Sequence, residues 1–392
     1  MKRARFGIVA LSAFAVALAA AHLRSTPYNN YVLLADAFLH ARVWIVWPGP
    51  YIDALAYAGH RYVIEGPLPA ILLLPYVAAA GLAANQTLVA AALAGIAVAV
   101  AWSIGERLGL SIARNAWLCA FLLLGTALQW CAMLGDVWFI AHVSAVCFTL
   151  LALDELLGNR RGWLVALWAV CAAESRMSLV LALPVYAVLL SAMEQQPESF
   201  TFDRRGSPKR LLGFGSVLAV AAVLWGAYNF ARWGTLGDIG YTTWYQHDSA
   251  GMTSGSPFRL LYLPYELSSF FVQWPDFAGA FPWIRPSIAG VALTWTSPAL
   301  LFALWARRPR AFVVALWCAA ILTAIPSFLY YVNGFAQYGM RHALDFIPFL
   351  FVLMALAARE RLPLWAKVLI VYSCVAGVYG VWYWDAFIRP AY

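Results

Sequence analysis

Charge is the first thing this chain lacks. Asp, Glu, Lys and Arg make up 11% of its 392 residues, against 64% hydrophobic ones. A soluble domain carries roughly 25% charge, so most of this chain does not face water. Cysteine is scarce and badly placed for chemistry. Cys119, Cys131, Cys147, Cys171, Cys318 and Cys374 all fall in apolar runs, and none forms a CxxC pair. Such thiols behave as small apolar residues, which argues against a disulfide framework and a thiolate metal site. HExxH, GxSxG, glycine-rich phosphate loops and zinc spacings are also missing. No cofactor and no metal is therefore expected. Acids beside a phosphate could hold Mg²⁺, but no motif asks for it. There is neither a low-complexity tract nor an internal repeat, and the missing repeat weakens a transporter built from repeated halves.

What the chain has instead is apolar length. Runs near 6–23, 86–104, 115–131, 140–156, 163–174, 178–193, 212–231, 289–306, 311–331, 344–358 and 366–384 read as spans. A span needs about 20 apolar residues to cross ~30 Å of hydrocarbon. The expected fold class is an all-α polytopic membrane protein with about eleven transmembrane helices. The whole of 1–392 forms one domain. The N-terminus, MKRARFGIVALSAFAVALAAAHLRS, has the layout of a signal peptide, but in a polytopic chain it reads as an uncleaved first helix.

Basic residues orient the spans. The 26 Lys and Arg outnumber the 18 Asp and Glu, for a net charge of +8. They gather in short connectors: Lys2–Arg5, Arg160–Arg161, Arg204–Arg210, Arg307–Arg310 and Arg359–Lys367. That is the positive-inside pattern, so nucleic acid is not an expected partner and the N-terminus is placed in the cytoplasm. Loop 194–211 becomes a cytoplasmic connector. The stretch 67–83 is apolar, but Pro67, Pro69 and Pro75 interrupt it. Proline removes helix hydrogen bonds, so this stretch reads as a shallow or broken helix on the outer side. Segment 24–85 is then a first periplasmic loop, and 232–288 a second, long one.

Acids and arginines converge on that outer side, where ionisable groups near membrane depth mark function. Within 28–42, Val32, Leu34, Ala35, Phe38 and Leu39 recur at helical spacing. They suggest an interfacial amphipathic helix, with Asn29 or Asn30 capping its start. Asp53 is the leading candidate for a general base, followed by Asp36, Glu65 and Asp136. Glu65 precedes the proline-rich return to the membrane, where burial would raise its pKa. Arg176, Arg341, His60 and Arg61 are the cationic candidates on the same side. Structural readings stand beside these: Arg176 paired with Glu174, and Arg341 with Asp345 on one helix face at i and i+4. His142 reads as a hydrogen-bonded helix residue or an acceptor contact. Tyr57, Tyr62, Arg259 and Tyr262, with Trp44 and Trp47, suit either sugar stacking or an interfacial aromatic belt.

Several stretches resemble a known family: YVLLADAFLHARVWI, DALAYAGHRYVIEGPLPAILLLP, GDVWFIAHVSAV, YNFARWGTLGDIGY and YGMRHALDFIPFL. Their order resembles the GT-C class of membrane glycosyltransferases in its bacterial branch. That class includes protein O-mannosyltransferases and the aminoarabinose transferases of lipid A. The resemblance implies a polyprenyl-phosphate-linked sugar as donor and a lipid, glycan or protein as acceptor. It implies a multi-pass enzyme of the cytoplasmic (inner) membrane, with an Asp of the first outer loop as base. A phosphate as the ligand of Arg176, Arg341, His60 and Arg61 is likewise what the resemblance implies. The chain departs from the pattern in one place. Many members keep an acid before the interfacial helix, where this chain has Asn29 and Asn30. Another acid such as Asp53 then takes over, or the reaction differs, or the chain is inactive. The rival from another class is a transporter or flippase of a lipid-linked sugar or small solute.

Overall fold

A computed structural model describes residues 2–192, 208–334 and 336–389. Residues 194–207 of the expected cytoplasmic connector lie outside them. The described residues are mostly helical, with two short two-stranded ladders and several irregular loops. Six helices are long and apolar enough to cross a membrane, seven if one bent pair counts as a single crossing. The expected number is about eleven; four shorter apolar helical stretches, Asn30–Leu39, Leu68–Ala83, Gly162–Ser175 and Met177–Ser191, stand beside these among the described residues.

Helix α1 (Lys2–Ala21) leads into the short α2 (Asn30–Leu39). A small hairpin follows, β1 (Leu55–Tyr57) paired antiparallel with β2 (His60–Tyr62). The proline-interrupted stretch becomes α3 (Leu68–Ala80), with Pro75 inside it. Thirteen residues make a helix about 20 Å long, short of a full crossing. Asn29 stands at the start of α2 but makes no side-chain cap. Seven of the ten residues of α2 are buried, with Asp36 and Leu39 on its open side.

The centre of the bundle is α4 (Gln86–Arg107) and α7 (Val137–Leu157). The side chain of Asn85 caps α4 through Thr87 N–H at 3.0 Å, satisfying a donor that the first helical turn leaves open. Between them, α5 (Ile112–Leu124) and α6 (Leu128–Leu134) meet at a 50° bend around Gly125. Then come α8 (Gly162–Ser175) and, after a 3-10 turn over Met177–Ala182, α9 (Leu183–Ala192). Helix α10 (Pro208–Trp233) packs on α8. Its outward residues Leu212, Val223 and Leu224 are each at least 65% exposed. An apolar face this open on so long a helix is a lipid face.

The long loop contains α11 (Gly240–His247), α12 (Leu263–Phe271) and a two-residue ladder of β3 (Asp276–Phe277) with β4 (Ile284–Arg285). The run 289–306 is not one helix. It divides into α13 (Leu293–Thr296) and a 3-10 stretch over Pro298–Trp305, because Pro298 cannot donate into a continuing helix. The chain ends with α14 (Arg310–Leu329), α15 (Ile347–Glu360) and α16 (Leu364–Tyr383).

The polar loops gather at one end of the bundle. Tyr57 Oη donates to Trp233 O at 3.3 Å, and Arg259 N–H to Leu329 O at 2.8 Å. Asn333 Nδ2 donates to Ala289 O at 3.0 Å, and Arg24 pairs with Asp385 at 2.7 Å.

Candidate active site

Asp53 lies just before β1, and three consecutive carbonyls fix the backbone around it. The Trp47 indole N–H donates to Ile52 O at 2.9 Å. Asn30 Nδ2 donates to the carbonyl of Asp53 itself at 2.7 Å. Arg61 Nη1 donates to Ala54 O at 3.3 Å. The Asp53 carboxyl is half-buried, and burial, then the nearby charge of Asp248, raises its pKa above the usual range. Asp248 is itself held by Tyr331, whose hydroxyl donates to it at 2.5 Å.

Glu65 stands three residues beyond β2 and is 7% exposed. Its place depends on Gly66. A Cβ there would lie 2.0 Å from the carbonyl oxygen of Glu174, so only glycine lets the loop meet the end of α8. Burial pushes the Glu65 carboxyl up to about 7, with the charge of Asp53 adding to the rise. Arg176 and Arg232 act against it. Its Oε2 is buried with no hydrogen-bond partner. The phenols of Tyr31, Tyr241 and Tyr330 lie within electrostatic reach of both Glu65 and Arg176.

Arg176 sits where α8 stops. Its backbone is extended, at φ −144° and ψ 104°, and its side chain turns to Asp345 and not to Glu174. Nε and Nη2 donate to the two Asp345 oxygens at 3.2 and 3.1 Å. Ser178 Oγ adds a bond to Oδ2 at 2.6 Å, and His142 Nδ1 lies 3.0 Å from Oδ1. Asp345 is fully buried, while the Arg176 side chain keeps 22% exposure. One end of the pair is thus anchored and the other open. Arg341 and Asp345 do not share a face, because Arg341–Asp345 is a 3-10 turn. At three residues per turn, i and i+4 point about 120° apart. Arg341 Nη1 donates to Gly334 O at 3.0 Å, with the guanidinium 5.1 Å from the Phe139 ring centre. Arg176 and Arg341 are close enough to repel one another.

The structure thus brings Asp53, Glu65, Arg176, Arg341 and His142 to one region. Asp136 lies at its edge, accepting from the Thr26 hydroxyl. Burial raises the Asp136 carboxyl to about 7, with the Thr26 hydrogen bond and then Arg389 and Arg341 opposing the rise. Asp36 is elsewhere, beside His40 and Arg42 at the end of α2. His60 and Arg61 face tryptophans instead: His60 stacks on Trp44 at 4.4 Å, and Arg61 covers Trp47 at 4.1 Å. Tyr57 and Tyr62 pack on Trp233. The Tyr262 hydroxyl meets that of Tyr245 at 2.6 Å, and the Arg259 guanidinium lies 3.1 Å from the Met252 sulfur.

Sequence reasoning passed over Arg232. It is 4% exposed and binds Val63 O at 3.2 Å and Asn229 Oδ1 at 2.7 Å. A cation at the end of a 26-residue apolar helix was signal enough, since such residues are functional by default. Tyr31, Tyr241 and Tyr330 carried no comparable signal among 19 tyrosines.

No protein-family model matches the sequence, and no curated protein does either. Among solved structures, the chain is similar to ArnT from Cupriavidus metallidurans bound to undecaprenyl phosphate, with a TM-score of 0.55 and 15% identity. The likeness covers 91% of this chain and 60% of ArnT, so the chain spans about three-fifths of its structural neighbour. At that identity the likeness is one of fold: this chain shares the fold of the matched part of ArnT.

Proposed function

We propose that the chain transfers a sugar from a polyprenyl-phosphate donor to an acceptor hydroxyl at the outer face of the cytoplasmic membrane. One observation carries this reading. Buried Glu65 of the first loop lies within electrostatic reach of half-buried Asp53 on one side and, on the other, of Arg176, which lies more than a hundred residues along the chain and stands within reach of Arg341. The undecaprenyl phosphate bound in the ArnT structure supports the choice of donor lipid.

The chemistry needs an anion site and a base. A phosphate between Arg176 and Arg341 relieves their mutual repulsion, and as the sugar–oxygen bond breaks the same cations stabilise the charge growing on the leaving phosphate. The acceptor oxygen forms the new bond to the anomeric carbon, and its proton passes to the Asp53 carboxylate. A base with a raised pKa accepts that proton more readily. Asn30, where the family often keeps an acid, acts in this reading by orienting Asp53.

The test uses purified protein, a radiolabelled polyprenyl-phosphate sugar and a membrane extract. Label should move to a new acceptor, and Asp53→Asn should stop the transfer in a protein that still folds. Movement of the intact lipid between leaflets without cleavage would replace this reading with a flippase.

A further inference from the structure

Beside the hairpin lies a hollow of about 580 Å³, open to the surface. It falls within the range of about 300–1,000 Å³ usual for small-molecule sites. Trp44, Trp47, Tyr57, His60 and Arg61 supply its chemistry, and none of the residues lining it is acidic. The rings of His60 and Trp44 are stacked 14° from parallel, with His60 as the exposed plate. A flat plate of this kind fits the apolar C–H face of a sugar ring, while the Arg61 guanidinium and the loop backbone can bind its hydroxyls. The hollow is also wired to the base. Trp47 and Arg61 are the two residues that hold the carbonyls on either side of Asp53. From Arg61 the chain reaches Glu65 in four residues, a span of at most ~14 Å.

We propose that this hollow docks the sugar rings of a neutral or acidic carbohydrate acceptor, and that Trp47 and Arg61 couple its occupancy to the position of Asp53. The subsite rests on the transferase reading for its place in the reaction, but its binding is measurable without turnover.

The test is saturation-transfer NMR on the detergent-solubilised full chain with mannotriose, chitotriose and maltotriose as probes. At least one should receive saturation, strongest at its ring C–H protons. His60→Ala and Trp44→Ala should weaken that probe's binding about threefold to tenfold, the worth of one ring contact. His60 is exposed, so its removal leaves the fold intact even if the Trp44 variant fails to fold. Silence from all three probes, or undiminished binding in His60→Ala, overturns the proposal. So does quenching by brominated lipid of a fluorophore on Ala56→Cys in nanodiscs, because the hollow would then face the bilayer. Trisaccharide binding in a protein that never transfers label would sustain the subsite and overturn the transferase reading alone.

Discussion

The Asn30 carboxamide donates to the backbone carbonyl of Asp53 across 23 positions of sequence, at 2.7 Å. An amide thus stands where an acid was expected, and it holds the residue proposed as base. Asn30→Ala keeps the carboxylate and removes its orienting bond. Transfer should fall about tenfold, the equivalent of ~1.4 kcal/mol, while donor binding stays unchanged. A turnover equal to wild type would separate Asn30 from the reaction.

Glu65 gives the folded protein a pH dependence. Its carboxyl moves from 4.5 to about 7, chiefly through burial, so between these values the folded chain holds a proton that the unfolded chain has released. The native state is then favoured below pH 4.5, and this contribution is lost as pH rises through about 7. Thermal unfolding in detergent at pH 5 and pH 8 should show wild type losing more stability than Glu65→Gln. Asp136 shifts the same way but remains in both proteins, so the difference isolates Glu65. Parallel curves would show that Glu65 is not the titrating group.

Asp345 is the buried anchor of Arg176. Replacing it with Asn leaves a cation short of its counter-charge, and breaking a buried pair costs about 3–5 kcal/mol. Asp345→Asn should therefore express poorly or melt early. Arg176→Lys keeps the charge but loses the two-point fork. It should stay folded and lose most donor binding, read by titration with undecaprenyl phosphate. Full retention of lipid affinity would place the phosphate elsewhere.

Gly66→Ala tests the seam between loop and helix. Its new Cβ would meet the Glu174 carbonyl at 2.0 Å, so one backbone must move. The expected cost is about 1–3 kcal/mol, as for other over-packed sites. Because the displaced segment carries Glu65, transfer should drop along with the melting temperature. Gly59→Ala, with open space around its Cβ position but a left-handed φ of +82°, should cost stability through backbone strain alone, with no clash.

Much of the architecture was readable from hydrophobic length alone, because α1, α4, α7, α10, α14 and α16 are long apolar runs between basic connectors. The prolines of 67–83 foretold a short α3. Other features needed three dimensions. Pro298 divides 289–306, yet composition there is as apolar as in a true span. Arg341 and Asp345 are spaced for one α-helical face, and nothing in the sequence marks the turn as 3-10. The partner of Arg176 lies 169 positions away, whereas Glu174 is two residues distant and was the natural guess. Local spacing carries secondary structure. It does not carry which distant charge a buried arginine selects, because packing of α7, α8 and the turn before α15 decides that.

Helix α8 has 14 residues, a length of about 21 Å, and the hydrocarbon it must meet is ~30 Å thick. Its last turn delivers Arg176. A bilayer pressed against so short a helix must thin, or its headgroups must dip, to avoid leaving apolar surface wet. Membrane thickness thereby becomes a reagent. In a thicker bilayer the arginine sinks further from the headgroup plane, and a lipid phosphate has further to descend before it meets the cation.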